Sequence, residues 1–221
     1  YAKVQATLAN HITKEKEYTL TVTSAPLTIK LDTTKLYDGT AFVSELTEAM
    51  NGNTNGFIIS GLQNNAKLSG EVTSSADTVA TYIDSVATNV ANITTPFATS
   101  DGIANYNVVY DFKQVIIKDT TKIVITSGDR DFSYDGNAHS YPSYTVTYGG
   151  TSVDRMATDS TKFELPTGDV LSVTNPASIT LYTENAPNNN TFSYTIENAN
   201  NYDASAVSMV NGTIKINAVA L

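Results

Sequence analysis

Only two histidines occur in the chain, His11 and His139. They are far apart in sequence, so a paired-histidine metal site or a Ser-His-Asp triad lacks its partners, and both read as solvent-facing turn or strand residues. There is no cysteine. This removes thiolate nucleophiles, CxxC zinc sites, disulfides and cysteine-ligated iron–sulfur clusters. The nearest approach to a metal motif is the acidic run Asp129, Asp131, Asp135, whose carboxylates would suit calcium. Arg130 sits inside it and the spacing is not that of an EF-hand, so a solvated turn is the plainer reading. The 13 tyrosines could offer faces for sugar rings, yet there is no Trp and many Tyr fall at strand positions, which favours core and edge roles. Two glycosylation sequons, Asn92-Ile93-Thr94 and Asn211-Gly212-Thr213, are of the kind a chain rich in Asn and Thr contains by chance. No convergent set of titratable groups marks an enzyme, and no cofactor is expected.

The elements that carry these residues can be read from composition and pattern. The 221 residues are 41% hydrophobic and 16% charged, which argues against a disordered chain. A net charge of −9 argues against a nucleic-acid partner, and no run approaches the ~18 apolar residues of a membrane-spanning helix. The chain opens on Tyr1 with no signal-peptide pattern, which reads as a mature form or an excerpt of something longer.

Strand-like runs dominate. Tyr18 to Thr23 alternates apolar and polar residues, and similar runs cover 27–31, 57–60, 106–110, 115–117, 123–125, 144–148, 192–196 and 213–216. Turn dipeptides lie between them, among them Asp38-Gly39, Asn55-Gly56, Asp101-Gly102, Asp135-Gly136, Gly149-Gly150 and Asn211-Gly212. The pattern predicts an all-β chain of sandwich type. Val79, Ile83, Val86 and Val90 have helical spacing, but their β-branched surroundings favour two strands, 78–83 and 86–93. A short helix is predicted over 44–50, with Ser44 as its cap and Glu48 one turn on.

Self-comparison shows a repeat. Tyr37-Asp38-Gly39 returns as Tyr134-Asp135-Gly136, and Asn105-Tyr106 returns as Asn201-Tyr202, at nearly the same interval. Each Tyr-Asp-Gly follows an apolar strand, and each Asn-Tyr precedes a closing one. The spacing fits an immunoglobulin-sized sandwich. The motif residues read as fold-specifying: Asp-Gly makes a turn, and the tyrosine covers the end of the sandwich. The implied organisation is an all-β pair of tandem immunoglobulin-like β-sandwich modules, 25–118 and 119–221. Residues 1–24 precede them as the last strand of an earlier module, or as a donated strand, followed by a linker.

With Ile125-Thr126-Ser127-Gly128, Gly168-Asp169-Val170-Leu171, Phe192-Ser193-Tyr194-Thr195-Ile196 and Gly212-Thr213-Ile214 added, the second half resembles the YDG/MBG-type repeats of large bacterial cell-surface proteins. The first half is similar through Tyr37-Asp38-Gly39-Thr40, Ile59-Ser60-Gly61-Leu62 and Asn105-Tyr106, and departs around Asp77 and Thr78, where the late glycine turn is missing. The resemblance implies a non-catalytic extracellular stalk or spacer whose partners are neighbouring repeats or subunits, with a separate head for a host protein or glycan. Two alternatives are a fibre or pilus subunit polymerising by strand donation through residues 1–24, and a glycan- or protein-binding adhesin module. Surface modules of this sort also invite a lysine–asparagine isopeptide bond, here Lys30 with Asn107 or Lys122 with Asn217, each joining a first and a last strand.

Overall fold

The computed structural model describes residues 2–6, 14–18, 21–74, 77–85 and 93–219, and it is predominantly β. The only helical pieces among the described residues are three-residue 3-10 turns. The chain divides into two compact units whose segments interleave. The first takes Tyr1–Leu31, Ser44–Val72 and Asp84–Phe112, and the second takes Asp32–Val43, Thr73–Ile83 and Lys113–Leu221. The sequence places a cut between 118 and 119. In the structure, 32–43 and 73–83 group with the C-terminal half instead.

In the first unit, Leu27, Ile29 and Leu31 alternate with outward residues and are fully buried. Their strand, Ala25–Leu36, pairs antiparallel with Phe57–Ser60, with Leu31 opposite Phe57. Both belong to a sheet ordered Gly52–Thr54, Phe57–Ser60, Ala25–Leu36, Tyr106–Ile117, Ala80–Ser85, whose last three strands also include residues grouped with the second unit. A three-stranded sheet is ordered Val43–Ala49, Leu68–Thr73, Ile93–Thr99. Phe57, Phe97 and Phe112 meet in the core, with ring centroids 5.7 to 6.4 Å apart. Each buried Leu, Ile or Phe side chain contributes about 1.5–3 kcal/mol.

Two expectations fail in this unit. Residues 44–50 do not form a helix, because the strand Val43–Ala49 takes their place. Ser44 and Leu46 point inward at strand period, and Glu48 then adopts φ +48° and turns Ala49 inward. That local kink mimics helical spacing in the sequence. Of the predicted strand at 18–23, residues 21–23 are not in a strand and 19–20 lie outside the described residues; Tyr18 ends the strand Lys14–Tyr18, which is not a lone strand. It pairs antiparallel with Ala2–Ala6, from Ala2 opposite Tyr18 to Ala6 opposite Lys14. The first of the two strands predicted at 78–93 is present as Ala80–Ser85. Most of the second, together with Val86 and Val90, lies outside the described residues, as does His11.

In the second unit, one sheet is ordered Thr151–Val153, Tyr144–Tyr148, Ile123–Ser127, Val207–Val210. Ile123–Ser127 pairs antiparallel with Tyr144–Tyr148 and parallel with Val207–Val210. A second sheet is ordered Arg155–Met156, Asp159–Glu164, Val170–Thr174, Ser193–Ile196. Ile123, Ile125, Tyr144 and Val146 from one sheet share a core with Phe163, Leu171, Val173 and Ile196 from the other. Beyond them Arg130–Ser133 pairs parallel with Ile214–Asn217, over a smaller cluster of Ile179, Ile214 and Ile216. Gly212 does not take the positive φ expected of a turn glycine. A side chain there would collide with the carbonyls of Ser127 and Gly128, so closeness of backbones requires the glycine.

Candidate functional site

The most developed polar constellation is a buried tyrosine–aspartate joint in the second unit. It begins at the strand end, where the Tyr37 amide donates to the Ile117 carbonyl at 2.8 Å. The next two residues make a tight turn. The Asp38 carboxylate accepts from the Thr40 amide at 2.9 Å and the Thr40 hydroxyl at 2.7 Å, and Lys35 Nζ lies 2.7 Å from it. Gly39 adopts φ +78°, and a Cβ there would overlap the Thr167 carbonyl oxygen. The turn therefore presses its backbone onto the loop that carries Thr167 and Asp169.

That loop and the 3-10 turn Ala199–Asn201 supply the receptor. The Tyr37 hydroxyl donates to Asp169 Oδ2 at 2.8 Å, and the Tyr202 hydroxyl donates to the same oxygen at 2.7 Å. Asn198 Nδ2 donates to Asp169 Oδ1 at 2.7 Å, and Thr167 Oγ1 is hydrogen-bonded to the Tyr202 hydroxyl. The rings of Tyr37 and Tyr202 meet edge to face at 5.7 Å. Tyr37, Tyr202 and Asp169 are each about 5% exposed or less. Three side-chain donors thus satisfy the oxygens of this enclosed carboxyl group.

A second buried carboxylate extends the joint. Asp119 accepts from the Tyr148 hydroxyl at 2.7 Å and from the Thr121 amide at 2.8 Å. Its backbone bridges to Tyr202, its amide donates to the Asn201 carbonyl, and Asn201 Oδ1 accepts from the Val79 amide at 3.1 Å. Burial, reinforced by Asp169, pushes the Tyr37 phenol up to about 12. Burial beside Asp119 does the same to Tyr148, and burial raises Tyr202 as well. These phenols are held neutral at ordinary pH, as donors and not as nucleophiles.

The other residues singled out by sequence fall as follows. Tyr134 is 46% exposed; its amide donates to the Asn217 carbonyl at 3.0 Å. Asp135 accepts from the Asn137 amide at 2.9 Å and contacts His139 Nε2 at 2.8 Å. Those two contacts, the backbone one foremost, hold its carboxyl down at about 2. Gly136 has φ +81° with open space around it. Asn105 donates to the Asp101 carbonyl at 2.6 Å, and the buried Tyr106 donates its hydroxyl to Asp101 Oδ2 at 2.8 Å. Asp129 accepts from the Thr213 amide at 2.6 Å, and Asp131 is exposed. Asp129 and Asp135 thus serve separate local hydrogen bonds, and no group of three or more metal-ligating side chains converges among the described residues. Lys30 is ion-paired to Asp111 at 3.4 Å, while Asn107, Lys122 and Asn217 are exposed.

Two clefts frame the rest of the surface. One of about 600 Å³ in the second unit is lined by Ser152–Met156, Glu164–Pro166 and Gly168, with no aromatic side chain in its wall. One of about 310 Å³ in the first unit lies beside Tyr106 and Asp101. Sequence reasoning missed Asp169 and Asp119 as the acceptors that organise the tyrosines. An Asp after Gly168 reads as an ordinary turn residue, and nothing local links it to Tyr37, 132 residues away. Compared with known proteins, the chain matches no family model, and no curated protein or solved structure shows significant similarity to it.

Proposed function

We propose that the chain is a non-catalytic spacer: tandem β-sandwich repeat modules of an extracellular bacterial surface protein, which hold a separate binding head away from the envelope. The observation that carries this reading is the parallel pairing, in the second unit, of early strands with late ones. Ile123–Ser127 pairs with Val207–Val210, and Arg130–Ser133 with Ile214–Asn217. Tension applied through the two ends of the 119–221 module pulls paired parallel strands along their length in opposite directions. The ladder bonds are then loaded together, not peeled one at a time. The recurrence of local structure supports the repeat. Two 3-10 turns, Ile103–Asn105 and Ala199–Asn201, each follow a positive-φ residue and lead into a buried tyrosine bonded to a carboxylate.

Single-molecule extension of the full chain tests the proposal. The expected record contains a discrete high-force event whose released length matches the second unit, because forced unfolding is governed by the barrier and not by the equilibrium. Smooth extension at low force would overturn the reading.

A further inference from the structure

The Tyr37 and Tyr134 turns are built alike. In both, the tyrosine amide closes onto a late strand, the aspartate accepts an amide two residues on, and the glycine takes φ near +80°. Only one of them is covered. Tyr37 is buried on Asp169 and Gly39 abuts Thr167. Tyr134 is half exposed, its hydroxyl has no partner among the described residues, and nothing lies within 4 Å of a Cβ built on Gly136. Leu181, Tyr182 and Val219 stand exposed beside Tyr134, and the group lines one apolar depression.

The first unit holds a receptor of the kind that binds Tyr37. Residues 101–106 and 197–202 correspond position by position: a 3-10 turn capped by Gly102 or Asn198 at positive φ, then Asn105-Tyr106 or Asn201-Tyr202. Tyr106 and Tyr202 are both buried and both donate to a carboxylate, Tyr202 to the buried Asp169 on a separate loop and Tyr106 to the exposed Asp101 of its own turn. In the second unit that carboxylate also receives Tyr37. In the first, the Asp101 carboxylate receives only Tyr106 among the described residues, and the 310 Å³ cleft opens at this point. Gln63, Asn64 and Asn105 line the cleft, and Val22 stands on its rim at 94% exposure.

We propose that the Tyr134 turn of one copy of this chain seats in the Asp101–Tyr106 cleft of a second copy, with the Tyr134 hydroxyl donating to Asp101 as that of Tyr37 donates to Asp169. The proposal rests on the repeat-module reading above. The two surfaces differ, so the contact is head to tail and extends into an open array. The apolar group on the Tyr134 side amounts to a few exposed side chains, well short of the ~800 Å² per partner that a stable complex buries. Free copies therefore associate weakly, and the joint closes firmly only where copies are held close together.

Because the chain lacks cysteine, disulfide trapping is clean. Asn137→Cys, beside the Tyr134 turn, is mixed in equal amounts with Gln63→Cys, at the cleft, in a glutathione buffer. Mixed dimers are expected to exceed the two homodimers together about threefold, whereas random pairing gives equal amounts. Adding Tyr134→Ser to the first variant returns the mixture to even; the residue is exposed, and an unchanged melting curve checks that the fold survives. Even pairing with Tyr134 intact, or a preference that survives Tyr134→Ser, overturns the joint. Even pairing by a chain that still gives the high-force event overturns the joint alone, whereas loss of that event overturns the spacer reading whatever the pairing.

Discussion

The same tripeptide, Tyr-Asp-Gly, meets two different fates in one chain. At 37–39 its tyrosine is buried in a polar joint, and at 134–136 it is an exposed turn with an apolar skirt. What the tripeptide encodes locally is shared: the strand end, the Asx turn and the positive φ. What differs is the surface facing it. A motif read in one dimension thus specifies the shape of a plug and says nothing about whether a socket is present.

The contrast is tested most strongly at the glycines. Gly39→Ala forces a Cβ into the Thr167 carbonyl in addition to the φ penalty, and is expected to cost about 3 kcal/mol or more, measured by urea unfolding. Gly136→Ala meets open space and is expected to cost about 1 kcal/mol from backbone conformation alone. Equal losses would show that the buried contact at Gly39 is not tight. Next in size, Tyr37→Phe leaves Asp169 with two donors in place of three and is expected to lower stability by about 2 kcal/mol. Tyr134→Phe should stay within about 0.5 kcal/mol, as surface changes do.

The smallest expected effect is the share of Tyr37 in alkaline stability. Its phenol titrates near 10 when unfolded and is pushed up to about 12 in the fold, so the folded state favours the neutral form. The corresponding stability is full below pH 10 and is lost as pH rises toward 12. Tyr37→Phe is expected to flatten the fall in melting temperature over that window. A slope unchanged from that of the parent chain would remove Tyr37 from the account.

The legibility of the fold in the sequence varied with the range of the forces involved. Phe57–Ser60 and Tyr144–Tyr148 could be delimited to the residue, because alternation over a half-buried strand is a local property. Val43–Ala49 could not, since the left-handed Glu48 breaks the period and leaves Leu46 and Ala49 at helical spacing. The Tyr-Asp-Gly and Asn-Tyr positions were visible as repeats, but the joint between Tyr37 and Tyr202 was not. It depends on Asp169, a carboxylate whose ring of donors is assembled from segments more than 100 residues apart along the chain. The interleaving of the units has the same origin, because contacts of high sequence separation leave no periodic trace.

The parallel pairing of Ile123–Ser127 with Val207–Val210 also sets an order of events during biogenesis. Ile123–Ser127 has no parallel partner until more than 80 further residues have been made. During synthesis this strand can pair early with Tyr144–Tyr148 but waits for the final strands on its other edge. It would then close slowly, as chains of high contact order do. The parallel pairing therefore delays closure of this segment until its late strands are present.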